Sequence, residues 1–169
     1  MGTATLVAVD EYLSTAYRPD RDYLDGLLAE RNMGTKDHGK LQRNLLVWFH
    51  TRGQALGLAA FPEQRIRVAT RRYRVPDVCV VKLPEPDEQI FTQPPFICVE
   101  ILSPGDSFPQ LQTRFDDYLA MGVPNIWVLD PATRRAWTAN REGLFEALDG
   151  TLRTADARVT IFIAELFAA

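Results

Sequence analysis

Cysteine is scarce in this chain. Two occur in 169 residues, Cys79 and Cys98, both inside apolar runs. That count excludes a disulfide-stapled secreted scaffold, and two buried thiols are the plain reading. Histidine is equally rare, with only His38 and His50. Those four residues are too few and too scattered for structural zinc. No uninterrupted apolar stretch approaches the roughly 18 residues that a membrane helix needs. Residues 1–10 have no basic start, and Asp10-Glu11 cuts off the apolar run. A signal peptide is therefore not expected, and a cytoplasmic location is the default expectation. Positive charge is not in excess either: 19 Lys and Arg against 22 Asp and Glu leave a net charge of −3. This argues against a surface that coats nucleic acid broadly. It leaves room for a local basic patch that docks nucleic acid beside acidic metal ligands. Repeats, a Gly-rich phosphate loop, a Ser/His/Asp arrangement and a serial aromatic–basic pattern are all missing.

The chain is long enough for one domain with a real core, and 1–169 reads as a single domain. Residues 7–17 carry apolar side chains at helical spacing until Arg18-Pro19-Asp20 stops them. Residues 23–30 read as a hairpin around Asp25-Gly26. A long helix follows, with Asp37 as its expected N-cap and Leu41, Leu45, Trp48 and Phe49 on one face. Residues 59–69 suggest one strand. Residues 75–81 and 96–102 read as buried strands, with Pro76 at the start of the first. Residues 83–95 form a loop. Residues 108–121 predict a helix ended by Gly122, and residues 125–131 a third buried strand. Residues 135–140, 144–148 and 159–163 look like a closing antiparallel set. The expected class is α/β, with a mixed β-sheet core flanked by helices.

Asp77 and Glu100 stand out. Each is an acid embedded in a strongly apolar strand, where an ionised carboxylate needs a cation or a dense set of donors. Alternation places Asp77, Cys79 and Val81 on one face, and Cys98, Glu100 and Leu102 on one face. If the strands are neighbours, both carboxylates converge. One reading is two unrelated acids paired with arginines. The other is a site for Mg²⁺ or Mn²⁺, which prefer carboxylate oxygens.

Three blocks carry a resemblance. They are Arg74-Val75-Pro76-Asp77-Val78-Cys79-Val80-Val81, then Val99-Glu100-Ile101-Leu102-Ser103-Pro104, then residues 118–131, from Tyr118-Leu119-Ala120-Met121-Gly122 on to Trp127-Val128-Leu129-Asp130-Pro131. In this order and spacing, with Tyr23-Leu24-Asp25-Gly26, Glu30 and His38 upstream, residues 22–131 resemble the Uma-type restriction endonuclease family. That family belongs to the PD-(D/E)XK nuclease superfamily. The resemblance implies a restriction-endonuclease-like fold and metal-dependent hydrolysis of DNA phosphodiester bonds. It implies Asp77, Glu100 and the Ile101 carbonyl as ligands of Mg²⁺ or Mn²⁺. Glu30 is the best match for a further acid, with Glu63 ranked below it. One position departs: the Lys expected two residues after Glu100 is Leu102. The resemblance implies that Arg114, four residues before Tyr118, takes over. A guanidinium stays protonated, so Arg114 can clamp a phosphate but cannot be a general base. Its plain alternative is a solvated helix residue.

Arg65, Arg67 and Arg74 sit in the most basic stretch and offer a phosphate-binding strip; ion pairs with nearby acids are the commoner arrangement. His38 could touch substrate or support the site. Asp106 reads first as a helix N-cap. DNA is the expected partner, and symmetry favours a homodimer. The competing reading is a nuclease fold without catalysis, used as a DNA-binding or protein-interaction module, which the Leu102 departure keeps open.

Overall fold

The computed structural model describes residues 5–31 and 34–168. In chain order, helix α1 (Val9–Ser14) precedes strands β1 (Asp22–Leu24) and β2 (Leu27–Ala29). The long helix α2 (Lys36–Leu56) leads to β3 (Leu58–Pro62), β4 (Ile66–Ala69), β5 (Arg72–Arg74), β6 (Val78–Lys82) and β7 (Ile97–Ile101). Helix α3 (Phe108–Met121) is followed by β8 (Asn125–Asp130), β9 (Arg135–Asn140), β10 (Gly143–Glu146), β11 (Thr151–Arg153) and β12 (Thr160–Phe162), and α4 (Ile163–Leu166) ends the set. Among the described residues no helix is long and apolar enough to cross a membrane.

The central sheet has six strands in the order β10-β9-β8-β7-β6-β3. Only β7 and β8 are parallel, joined by the α3 crossover. Both faces of this sheet are covered. On one, Leu41, Leu45, Trp48 and Phe49 of α2 pack with Val78, Val80, Ile97, Val99 and Trp127. On the other, Phe115 and Tyr118 of α3 pack with Cys79, Cys98, Ile126 and Val128. Two-sided burial is why β6, β7 and β8 read as continuous apolar runs rather than alternating ones. The fold is the expected α/β class, a mixed sheet flanked by helices.

Several local expectations change. The first helix is shorter than residues 7–17. The cap of α2 is Thr35, whose side chain accepts from the His38 N–H, and Asp37 sits in the first turn instead. Residues 59–69 are two strands in two sheets. Glu63, at φ 48°, turns the chain between β3 in the central sheet and β4 in the four-stranded sheet β2-β1-β5-β4. Residues 159–163 do not close the central sheet: β12 pairs with β11 as a separate hairpin packed beneath it. The hairpin at Asp25-Gly26 forms with both residues at positive φ, as a tight two-residue turn requires.

Candidate active site

The antiparallel register of β6 and β7 pairs Val78 with Val99 and Cys79 with Cys98. Asp77, one residue before β6, therefore falls opposite Glu100. The two acids are 3% and 1% exposed. Such burial is tolerated only with partners, and each oxygen has one. The Asp77 Oδ1 atom receives the guanidinium of Arg31 and lies 3.3 Å from His38 Nε2. Its Oδ2 accepts the backbone N–H of Ile101 at 2.7 Å. The Asp77 carbonyl is held by Gln42 Nε2 at 2.8 Å, tying the residue to α2.

On Glu100, Oε1 accepts from the Tyr118 hydroxyl and Oε2 from Arg114 Nη1 at 2.9 Å. Arg114 and Tyr118 are one helical turn apart on α3, so one helix face delivers both donors. Arg114 Nε also lies 3.6 Å from Asp22 Oδ2. Behind this, Asp22 accepts from Arg74 Nη1 at 2.8 Å and from the Val75 N–H at 3.0 Å.

The two acids titrate in opposite directions. Burial pushes Glu100 up to about 7; Arg114 opposes this and the negative charge of Asp77 adds to it. Burial also works against ionised Asp77, but His38, Arg31 and the Ile101 N–H outweigh it and hold its carboxyl below the ordinary range. Burial lowers the affinity of His38 for a proton, yet its bond to Asp77 raises it overall.

Arg31, His38, Asp77, Ile101, Ser103, Asp106 and Arg114 line a crevice of about 10 Å³, room for roughly one water-sized guest. Two larger clefts, about 220 and 570 Å³, share Asp106 with it.

The model of the Uma2 family, described as "Putative restriction endonuclease", matches residues 9–155. The chain belongs to the Uma2 family. A solved structure of "a putative nuclease belonging to DUF820 from Anabaena variabilis ATCC 29413" has a TM-score of 0.79 at 22% identity. The match covers 95% of this chain and 97% of that one, and it shows the shared fold. A comparison with curated proteins finds no match.

In this Uma2 chain Asp77, Glu100, Arg114 and His38 come together. Ile101 is there too, and the contact it makes is its N–H on Asp77. Glu30 does not join them. Its side chain is 76% exposed and pairs with Arg21 at 3.1 Å, on the wall of the 220 Å³ cleft. Short strand β2 ends at Ala29, and Glu30 follows it outside the regular elements. Glu63 is half exposed, 3.8 Å from Arg31. Among the described residues no three His, Cys, Asp or Glu side chains are arranged around one ion position.

The three arginines of the basic strip have different surroundings. Arg65 is locked to Asp20 by two 2.7 Å bonds and lies over the Tyr12 ring. Arg74 is 3% exposed and bonded to Asp22 and Asp117. Both hold β4 and β5 to their neighbours, and neither presents a free guanidinium. Arg67 alone of the three faces solvent, away from the crevice. Asp106 is not the cap of α3; Ser107 is, and Asp106 accepts from the Ser103 N–H at 2.7 Å.

Sequence reasoning missed Arg31, Asp22 and Gln42. Asp22 was findable: like Asp77, it is an acid at the start of an apolar strand. Arg31 and Gln42 carry no such signal.

The donor chemistry fits Mg²⁺ or Mn²⁺. Mg²⁺ commonly takes one or two carboxylates from a protein, with water and phosphate completing its shell; here Asp77 lines the crevice and Glu100 is buried beside it. The guanidinium on Asp77 must give way for that oxygen to serve.

Proposed function

We propose that this chain is a metal-dependent endonuclease that hydrolyses phosphodiester bonds in DNA. The observation that carries the reading is that the β6–β7 register sets Asp77 beside Glu100, both buried, with Asp77 lining a crevice. Family membership supports the nuclease class.

Asp77 and Glu100 would hold Mg²⁺ or Mn²⁺, with the Ile101 carbonyl as the further ligand. A divalent cation there lowers the pKa of a bound water and offsets charge on the phosphodiester. The rest falls to the chain. Tyr118 and Arg114 fix the Glu100 carboxylate, while His38, Gln42 and the Ile101 N–H fix Asp77. Donors of this kind preset the ligand geometry before metal arrives. Arg114 also faces the crevice, where a guanidinium can clamp a phosphate oxygen. A homodimer would set two such sites against two DNA strands.

One observation favours the second reading, a binding module without catalysis: every carboxylate oxygen of the pair already has a protein partner, and Leu102 stands where the motif Lys would be. Supercoiled plasmid incubated with Mg²⁺ or Mn²⁺ separates the two. Nicking that EDTA and Glu100→Ala both abolish supports the endonuclease. No cleavage by folded protein in either metal supports the module.

A further inference from the structure

Arg31 lines the crevice, and the chemistry above leaves it without a task. It is 9% exposed and lies between β2 and α2. A buried Arg demands acidic partners. Its guanidinium sits on Asp77 Oδ1, with Glu63 3.8 Å away, and the charges of Glu100 and Asp22 bear on it as well.

The other donors at the pair are fixed more firmly. The Ile101 N–H belongs to a central strand. Tyr118 is fully buried in α3, and Arg114 is held a second time by Asp22. Arg31 comes from outside the regular elements, and its second acid is half exposed. Of the side chains and N–H groups on the two carboxylates, His38 included, Arg31 is the one not anchored in a helix or strand.

We propose that Arg31 is a displaceable counter-cation. It neutralises Asp77 until a divalent cation takes that oxygen, and its guanidinium then passes to an anionic oxygen of the substrate. The inference rests on the metal-dependent reading. Its logic is charge balance. Two carboxylates already face two guanidiniums, Arg31 and Arg114. A divalent ion added alone leaves an excess of positive charge at short range, which is costly away from bulk water. A phosphate arriving with the ion removes the excess and gives Arg31 a new bidentate partner. Metal and nucleic acid therefore strengthen each other's binding, as linkage requires.

The test is Mn²⁺ binding to the whole protein without nucleic acid, followed by electron paramagnetic resonance, with folding checked by circular dichroism. Arg31→Met is expected to bind Mn²⁺ about tenfold tighter than wild type, because a positive charge at the site is gone. Arg31→Lys, which keeps the charge, stays near wild type, and Asp77→Asn loses the site. A short phosphorothioate DNA duplex tightens Mn²⁺ binding by wild type but not by Arg31→Met. Equal or weaker Mn²⁺ binding by folded Arg31→Met, with Asp77→Asn still abolishing it, overturns the role of Arg31 and leaves the metal reading standing. Equal tightening by the duplex in both proteins overturns the transfer to substrate. No Mn²⁺ bound by any of them at millimolar concentration overturns both the inference and the reading beneath it. If Arg31→Met does not fold, Arg31→Gln carries the same comparison, since it removes the charge and keeps a donor.

Discussion

Replacing Asp22 with Ala should destabilise the protein far more than a surface acid would. Asp22 and Arg74 are 2% and 3% exposed. The carboxylate accepts from Arg74 at 2.8 Å and from the Val75 N–H at 3.0 Å, and it sits 3.6 Å from Arg114. Truncation leaves Arg74 with Asp117 alone and the Val75 N–H with no acceptor. Breaking a buried pair from one side costs about 3–5 kcal/mol, because the remaining charge stays buried. An orphaned backbone N–H costs about 1–3 kcal/mol and overlaps with that figure. For a chain of this length the larger range corresponds to a fall in Tm of about 6–20 °C. Thermal unfolding by near-UV circular dichroism at neutral pH would read it. Asp22→Asn, which keeps an oxygen for Val75, should lose less. The double variant Asp22→Leu with Arg74→Met should lose less than Asp22→Ala alone, since no charge is stranded. A fall of under about 3 °C for folded Asp22→Ala, or a double variant worse than the single, would refute the reasoning.

Three further predictions follow from individual contacts. In EDTA, native Glu100 titrates at about 7 against an ordinary 4.5, so the folded state holds an extra proton between those values. The stability this confers is complete below about 4.5 and lost as pH rises through about 7, a swing of about 3 kcal/mol that Glu100→Gln should remove from urea-melt profiles taken from pH 5 to 8. Gly53→Ala should destabilise although Ala is the better helix former by about 1 kcal/mol, because a Cβ there lies 2.8 Å from the Leu58 carbonyl oxygen; a raised Tm would show that α2 and β3 separate easily. Arg65→Lys should lower Tm by a few degrees, since Lys cannot reproduce the two-bond pairing with Asp20 or the stacking on Tyr12; an unchanged melt would mean that a point charge suffices.

The candidate site shows where sequence reading works and where it stops. Asp77 and Glu100 were visible because an acid inside an apolar run contradicts its surroundings. Arg114 was visible only through its spacing from Tyr118 in a resembling family. Glu30 was named through the same resemblance, and its side chain is exposed and paired with Arg21 instead of meeting Asp77 and Glu100; one residue more or less decides whether a side chain faces in or out. Arg31, its neighbour, is the one that faces in. Arg65 and Arg74 show the complementary limit. A run of arginines looks the same in sequence whether it faces solvent or is matched one by one with Asp20, Asp22 and Asp117.

By itself, the sequence determined the local elements and the class of fold. Helical spacing marked α2 and α3, continuous apolar runs marked the strands buried on both faces, and Asp25-Gly26 marked a tight turn. These signals are local because backbone geometry repeats every few residues. Only tertiary structure decided the strand order, the break between β3 and β4, and which partner each buried charge received. Those depend on residues tens of positions apart: Arg31 meets Asp77, Asp22 meets Arg74, and Arg114 bridges Glu100 and Asp22. Charge pairing acts through space and leaves no period along the chain, so Asp77 and Glu100 could be read from the sequence while Arg31 could not.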